Sequence, residues 1–358
     1  MKFLHMADMH FDAPFVNLAD NNEFGKIRRL EQREIFRKII DYIKENEVPY
    51  FFISGDLYEH NCIRQSTIEY INDLFKTIPN TKIFISPGNH DPFLKNSFYN
   101  SFMWNENVTI FDENLSKIEF DDVNIYGFGF SDFYSSRVNL EKIKLEDDVK
   151  LNILVIHGTL DGSDMVEKVY NPISKNILED IGFDYVALGH IHKKGIFGKN
   201  ENIVYPGSCI SLGFDEQGEH GIIAGDIEKG KLKLDFITLE ANKFEEKDVD
   251  ISFLKSEEDL IEMLNSLELH DNRFYKLNLI GTRHFEININ EIKKLLELNN
   301  ILKIKNKTKI DINLEEISKR TTLSGMYAKE ILRALEKGEY SKEYLDDIIE
   351  IGLQILDK

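Results

Sequence analysis

The chain has 358 residues, 42% of them apolar, and a formal net charge of −19. That apolar content supports a substantial core and excludes wholesale disorder; the length fits one large domain plus a smaller one, or two or three modest ones. The acidic balance argues against a broad electrostatic grip on nucleic acid, and suits either cation binding or plain solubility.

The two cysteines, Cys62 and Cys209, form no C-x-x-C pair. No disulfide framework or thiolate zinc site is expected, and a reducing cytoplasm fits. The opening MKFLHMADMH turns polar too soon for a secretory leader. No stretch reaches the ~18 uninterrupted apolar residues of a membrane span. The expectation is a cytoplasmic protein without a membrane partner.

Apolar runs ending in polar clusters occur at 2–10, 50–56, 82–91, 123–130, 151–158, 185–192 and 202–208. They are rich in Ile, Val and Phe and bounded by Gly or Pro, which predicts buried strands. Between them, 26–47 sets Ile27, Leu30, Phe36, Ile39, Ile40 and Ile43 on one helical face. Weaker helical patterns cover 65–78 and 173–181. Strands alternating with helices predict an α/β layered domain. Residues 220–239 read as a hairpin turning at Glu228-Lys229-Gly230, which closes the first domain near residue 240. Beyond it, strand-like 244–252, a helix at 256–267, a strand at 273–281, a helix at 290–299 and a strand at 301–309 predict a small βαβαβ unit. The remainder, 314–358, reads as helices broken at Gly325 and Gly338.

The strand ends carry the chemistry. The first ends in Asp8 and His10, the second in Asp56, the third in Asn89, His90 and Asp91, a later one in His157, and another in His190 and His192. In an extended segment residues i and i+2 point the same way, so Asp8 aims with His10 and His190 with His192. Sites in open α/β sheets form beyond the carboxyl ends of the strands. Each residue alone has an ordinary explanation, as a turn former, a cap or a satisfied histidine. Five such clusters in order, all of metal-ligand type, favour a metal site.

These motifs, D8-M-H10, G55-D56, G88-N89-H90-D91, H157-G158 and G189-H190-I191-H192, resemble the motif set of calcineurin-like metallophosphoesterases. HMADMHFDAPF, SGDLYEH, HGTLDG and YVALGHIHKKGIF followed by IVYPGSC are similar to SbcD-type DNA repair exonucleases, including their YhaO-like branch. The motifs cover residues 1–240. The resemblance implies an α/β fold: a metallophosphoesterase β-sandwich flanked by helices, with a small α+β capping domain at 241–312 and C-terminal helices at 313–358.

A phosphodiester resists attack because its oxygens are already negative. Two metal ions about 3.5–4 Å apart bind the phosphate, supply hydroxide and stabilise the leaving oxygen. The resemblance implies Asp8, His10, Asp56 and His192 on one ion and Asp56, Asn89, His157 and His190 on the other, with Asp56 shared. The mixed imidazole, carboxylate and amide set suits manganese or iron better than magnesium. Manganese is the ion the family implies, with iron or zinc as alternatives. By resemblance His90 faces the scissile phosphate or protonates the leaving oxygen. Asp91 is expected to fix the His90 tautomer, and Gly88 to permit a sharp turn. Some relatives place a histidine three residues after the bridging aspartate; here Glu59 stands there and His60 follows, so His60 is either an ordinary loop residue or a displaced site residue.

In the appended region, Lys303, Lys305, Lys307 and Lys309 alternate. A single strand would put all four on one face, as a contact to DNA backbone or as protection of an edge strand. Leu345, Ile348, Ile349, Leu353 and Leu356 form a helical stripe. It packs on its own domain or, by resemblance, binds an SbcC-type ATPase subunit. The resemblance therefore implies a manganese-dependent nuclease on DNA ends, hairpins or single strands, a 3′-to-5′ exonuclease with single-strand endonuclease activity. An ATPase subunit and a second copy are its expected protein partners. The alternatives are an enzyme of small phosphodiesters or nucleotides, and a scaffold that has lost activity; the complete ligand set argues against the last.

Overall fold

A computed structural model describes residues 1–15, 22–134, 140–145, 149–161, 170–337, 348–349, 351–352 and 355–356. The chain divides into two compact units, Met1–Phe244 and Glu245–Lys358. Among the described residues no helix is long and apolar enough to cross a membrane.

In chain order the first unit runs β1 (Lys2–Met6), α1 (Asn22–Glu45), β2 (Tyr50–Ile53), α2 (Gln65–Lys76), β3 (Lys82–Ile85), α3 (Phe98–Ser101) and β4 (Val108–Ile110). It continues through β5 (Ser116–Glu119), β6 (Val123–Phe128), β7 (Leu151–His157), α4 (Lys175–Ile181), β8 (Tyr185–Gly189), β9 (Gly195–Phe197), β10 (Ile203–Tyr205), β11 (Gly221–Glu228) and β12 (Lys231–Thr238). The strands form two six-stranded sheets, ordered β12-β11-β1-β2-β3-β4 and β5-β6-β7-β8-β10-β9. Both are mixed: β1 to β4 are parallel, as are β6, β7, β8 and β10, while β11, β12, β5 and β9 join antiparallel.

Alternation along each strand builds the layers. Leu4, Met6, Phe51, Ile53, Ile83 and Ile85 turn outward to a core shared with Ile35, Phe36, Ile39 and Ile40 of α1 and Ile68, Ile71 and Phe75 of α2. Their neighbours Phe3, Phe52 and Phe84 turn inward and meet Ile153, Val155, Tyr185 and Ala187 of the opposite sheet. Leu154, Ile156, Val186 and Leu188 face the outer side with Leu178 of α4. The result is a β-sandwich covered by helices on both outer faces. Because Ile153 and Val155 face the other sheet, the same parity turns His157 toward it.

The second unit runs β13 (Lys243–Asp250, beginning just before the boundary), α5 (Glu257–Asn265), β14 (Arg273–Ile280), β15 (Thr282–Arg283), α6 (Ile289–Leu295), β16 (Ile301–Asn306), β17 (Lys309–Ile310), α7 (Leu314–Ser318) and α8 (Leu323–Lys337). Strands β13, β14 and β16 form one sheet around Val249, Leu260, Leu264, Leu277 and Ile292. Two expectations fail here. Gly325 does not break a helix: it lies inside α8, where a Cβ would stand 2.1 Å from the Arg320 carbonyl oxygen, so close packing requires the glycine. The four lysines do not share a strand face. Lys303 and Lys305 lie on the edge strand β16, which ends at Asn306, and Lys309 belongs to β17 in a separate two-stranded sheet. Of the C-terminal stripe, Ile349 packs with Ile331; Leu345 and Leu353, like Gly338, lie outside the described residues.

Candidate metal centre

The ends of β1, β2 and β3 in one sheet and of β7 and β8 in the other bring the predicted residues together. Three groups of donors converge: Asp8, His10 and His192; His10, Asp56 and His90; and Asp56, His157 and His190. Asp56 Oδ2 lies 3.7 Å from His10 Nε2 and 3.4 Å from His157 Nε2, so one oxygen faces both halves of the centre. Its other oxygen accepts the His90 backbone N–H at 2.8 Å. Asn89 Oδ1 lies 3.1 Å from His157 Nε2. Both oxygens of Asp8 accept the His190 backbone N–H at 3.1 Å.

The backbone reaches this arrangement by another route than simple alternation. Asp8, His10, Asp56 and His190 all have positive φ, at 52°, 50°, 51° and 104°. Such conformations cost non-glycine residues about 1–3 kcal/mol each and persist where surrounding bonds enforce them. Here Asp8 N–H donates to the Gly55 carbonyl at 3.1 Å and His10 N–H to the Asp56 carbonyl at 2.9 Å. Gly88 likewise differs from expectation. A Cβ there would stand 2.3 Å from Asp56 Oδ1, so the glycine is needed for close approach to Asp56.

Each histidine that contributes Nε2 to a close contact within the centre is held from behind at Nδ1. His10 Nδ1 donates to Glu59 at 2.7 Å, His192 Nδ1 to Glu216 at 2.6 Å, and His157 Nδ1 to the Ser54 carbonyl at 2.8 Å. Backing of this kind fixes the tautomer and leaves Nε2 with a lone pair. Lone pairs of His10 and His192, and of His157 and Asn89, are thus brought to 3.2 and 3.1 Å of one another, where they repel unless a cation or a proton stands between them. A buried set of imidazole, carboxylate and amide donors arranged in this way fits divalent metal ions.

Electrostatics agree with that fit. Burial pushes Asp56 upward, but the His157, His90 and His10 rings outweigh it and keep the carboxylate well below its ordinary range. Burial works against the charge on His157, and Asp56 overrides it, raising the ring to about 9. Burial likewise opposes His192, and its bond to Glu216 raises it to about 10. Such a nest of negative charge attracts cations. A pair of divalent ions held here by these residues would polarise a phosphoryl group and lower the pKa of water.

His90 stands at the accessible side, with 44% of its side chain exposed, and its Nδ1 meets Glu59 Oε2 at 3.0 Å. Burial disfavours its charge, but Glu59 and Asp56 outweigh this and raise it to about 9, so it can present a proton to a phosphate oxygen. The Asp91 carboxylate makes no hydrogen bond to the His90 ring. It accepts the backbone N–H groups of Gly88 at 2.7 Å, Asp56 at 3.0 Å and Leu57 at 2.6 Å, and the Tyr99 hydroxyl at 2.6 Å. The expected tautomer-fixing role belongs by geometry to Glu59, and Asp91 instead shapes the turn that carries Asp56. Neither Glu59 nor Glu216 is among the site residues that the sequence predicts. For Glu59 a signal existed, its place three residues beyond Asp56; for Glu216 there was none. His60 is partly buried, with its ring edge-on to Phe133 at 5.6 Å and its backbone N–H on the His90 carbonyl.

The chain is 26% identical over 297 residues to the uncharacterized metallophosphoesterase YhaO of Bacillus subtilis (strain 168), covering 79% of this chain and 69% of that protein. It is 24% identical over 298 residues to the DNA double-strand break repair protein Mre11 of Methanopyrus kandleri, covering 73% of this chain and 61% of that protein. The crystal structure of TT1561 of Thermus thermophilus aligns with 66% of this chain and 98% of that chain, at 12% identity and a TM-score of 0.38. The calcineurin-like phosphoesterase family matches residues 1–194, a span that holds all eight converging donors, Asn89 and His90 included. The chain belongs to the calcineurin-like phosphoesterase family and is a metal-dependent hydrolase of phosphoester bonds.

Proposed function

We propose that the protein is a two-metal nuclease, manganese-dependent, acting on DNA ends as the nuclease subunit of an SbcCD-like repair complex. In this reading Asp8, His10, Asp56 and His192 hold one ion, and Asp56, Asn89, His157 and His190 the other. The observation that carries it is Asp56 Oδ2 facing His10 and His157 at once, the placement a bridging ligand needs. The likeness to a protein described as an Mre11 repair protein supports DNA as substrate. That match covers 73% of 358 residues, more than the 244 of the first unit, so this likeness extends into the second.

The net charge of −19 favours the second reading, an enzyme of small phosphodiesters or nucleotides. A DNA nuclease of this charge would draw part of its grip from an ATPase partner. One comparison separates the two: Mn²⁺-dependent digestion of end-labelled duplex DNA against bis-nitrophenyl phosphate and cyclic nucleotides. The nuclease reading expects shortening of the duplex, lost in Asp56→Asn and His90→Ala. Turnover of the small esters with intact DNA supports the second reading. Undiminished hydrolysis in both variants removes the mechanism.

A further inference from the structure

Glu216 lies 24 residues beyond the last converging histidine and outside the segment that the family matches. Its carboxylate nevertheless lies at the back of the centre. Oε1 accepts His192 Nδ1–H at 2.6 Å, while Oε2 accepts the Leu212 backbone N–H at 2.8 Å and the Ser208 hydroxyl at 3.3 Å. The surrounding loop is folded about this side chain. Ser211 Oγ donates to the Glu216 carbonyl at 2.8 Å, His220 Nε2 meets the same carbonyl at 3.0 Å, and Arg28 holds the Ser211 carbonyl from α1. Ser208 N–H closes the loop onto the His192 carbonyl at 3.1 Å. His192 is thus held at its ring and at its backbone by one loop.

We propose that Glu216 is a positioning residue of the metal centre, which orients His192 through Nδ1 and so sets the affinity of one of the two ion positions. This rests on the two-metal reading above. His192 groups with Asp8 and His10, whereas His157 is backed by the Ser54 carbonyl and groups with Asp56 and His190. Loss of Glu216 therefore acts on one ion and spares the other. Removing an outer partner of a metal-bound histidine typically costs about ten- to hundredfold in affinity. In Glu216→Gln the amide oxygen still accepts from Nδ1, but the amide nitrogen cannot accept from Leu212.

Calorimetric titration of the metal-stripped full chain with MnCl₂ tests this, alongside thermal melts without metal. Wild type should take up two equivalents. Glu216→Ala should weaken one about ten- to hundredfold and leave the other at its wild-type value, with Glu216→Gln between. Two unchanged equivalents in Glu216→Ala overturn the proposal. Equal weakening of both, together with a lowered metal-free melting point, also overturns it, since that marks a general structural role. A wild type that binds no Mn²⁺ removes the two-metal reading itself. Should Glu216→Ala fail to fold, Glu216→Leu, which keeps the bulk but cannot accept from Nδ1, takes its place, and an unchanged titration in it overturns the proposal.

Discussion

The Nε2 atoms of His10 and His192 face each other at 3.2 Å, and both rings carry a carboxylate on the opposite nitrogen. Neither ring can easily turn its proton inward without losing that partner. The pair is therefore stable as neutral imidazoles only with a cation to share. Binding to the folded state alone stabilises by about 2.7 kcal/mol at a hundredfold excess over the dissociation constant. For a unit of this size that raises the melting point by roughly 5–10 °C per ion. Melts with Mn²⁺ and with a chelator should differ by at least this, and Asp56→Asn should shrink the difference. Superimposable curves for wild type would mean that no ion binds the folded state selectively.

Glu59 carries one oxygen on His10 and the other on His90, at 2.7 and 3.0 Å. The buried donor His10 and the exposed imidazole of His90 are thereby locked into one orientation. Burial works against ionisation of Glu59, but its bonds to His10 and His90 hold it at about 2. Glu59→Ala should lower kcat/KM on bis-nitrophenyl phosphate about ten- to hundredfold. Glu59→Gln should lose less, because an amide oxygen still accepts from one ring. Equal activity in all three proteins would show that the bridge has no part in turnover.

Legibility in the sequence follows how local each signal is. The strand ends were readable because apolar runs stop abruptly at Asp8, Asp56, Asn89, His157 and His190, and strand geometry needs little context. The carboxylates behind the rings were not, because Glu59 and Glu216 are two among 63 acidic residues and their partners are 49, 31 and 24 positions away. The left-handed backbone at Asp8 and His10 was missed because no glycine marks it. The lysine stripe misled because period-2 reasoning holds only within one strand, and β16 ends before Lys307.

Asp91 binds the turn that presents Asp56, so its loss should be felt in stability as well as activity. It is fully buried and receives three strong backbone donors and the Tyr99 hydroxyl. Each donor stranded in the interior costs about 1–3 kcal/mol. Asp91→Ala should lower the urea unfolding free energy by more than about 3 kcal/mol, and Asp91→Asn by less, since one oxygen remains. A variant of full stability but no activity would return Asp91 to the role of partner to His90.

His5 ties the two sheets together by one polar chain through an apolar layer. Ser54 Oγ donates to the Ala187 carbonyl at 2.9 Å, so it accepts from His5 Nε2 at 3.0 Å, and His5 Nδ1 then accepts the Tyr185 hydroxyl at 2.9 Å. Every partner is satisfied by a neutral ring, and burial pushes its pKa down from 6.5 to about 3. Between these values the unfolded chain takes up a proton that the folded chain refuses. The contribution is therefore complete above pH 6.5 and declines as pH falls toward 3, by at most about 1.4 kcal/mol per pH unit. Glutamine can donate to Ser54 and accept from Tyr185 but does not titrate. The difference in unfolding free energy between wild type and His5→Gln should thus be flat above pH 6.5 and shift in favour of His5→Gln below it. Other titrating groups cancel in that difference as long as the variant leaves them alone. A difference independent of pH from about 7 to about 4 would mean that His5 accepts its proton in the folded state, and that the polar chain does not require a neutral ring.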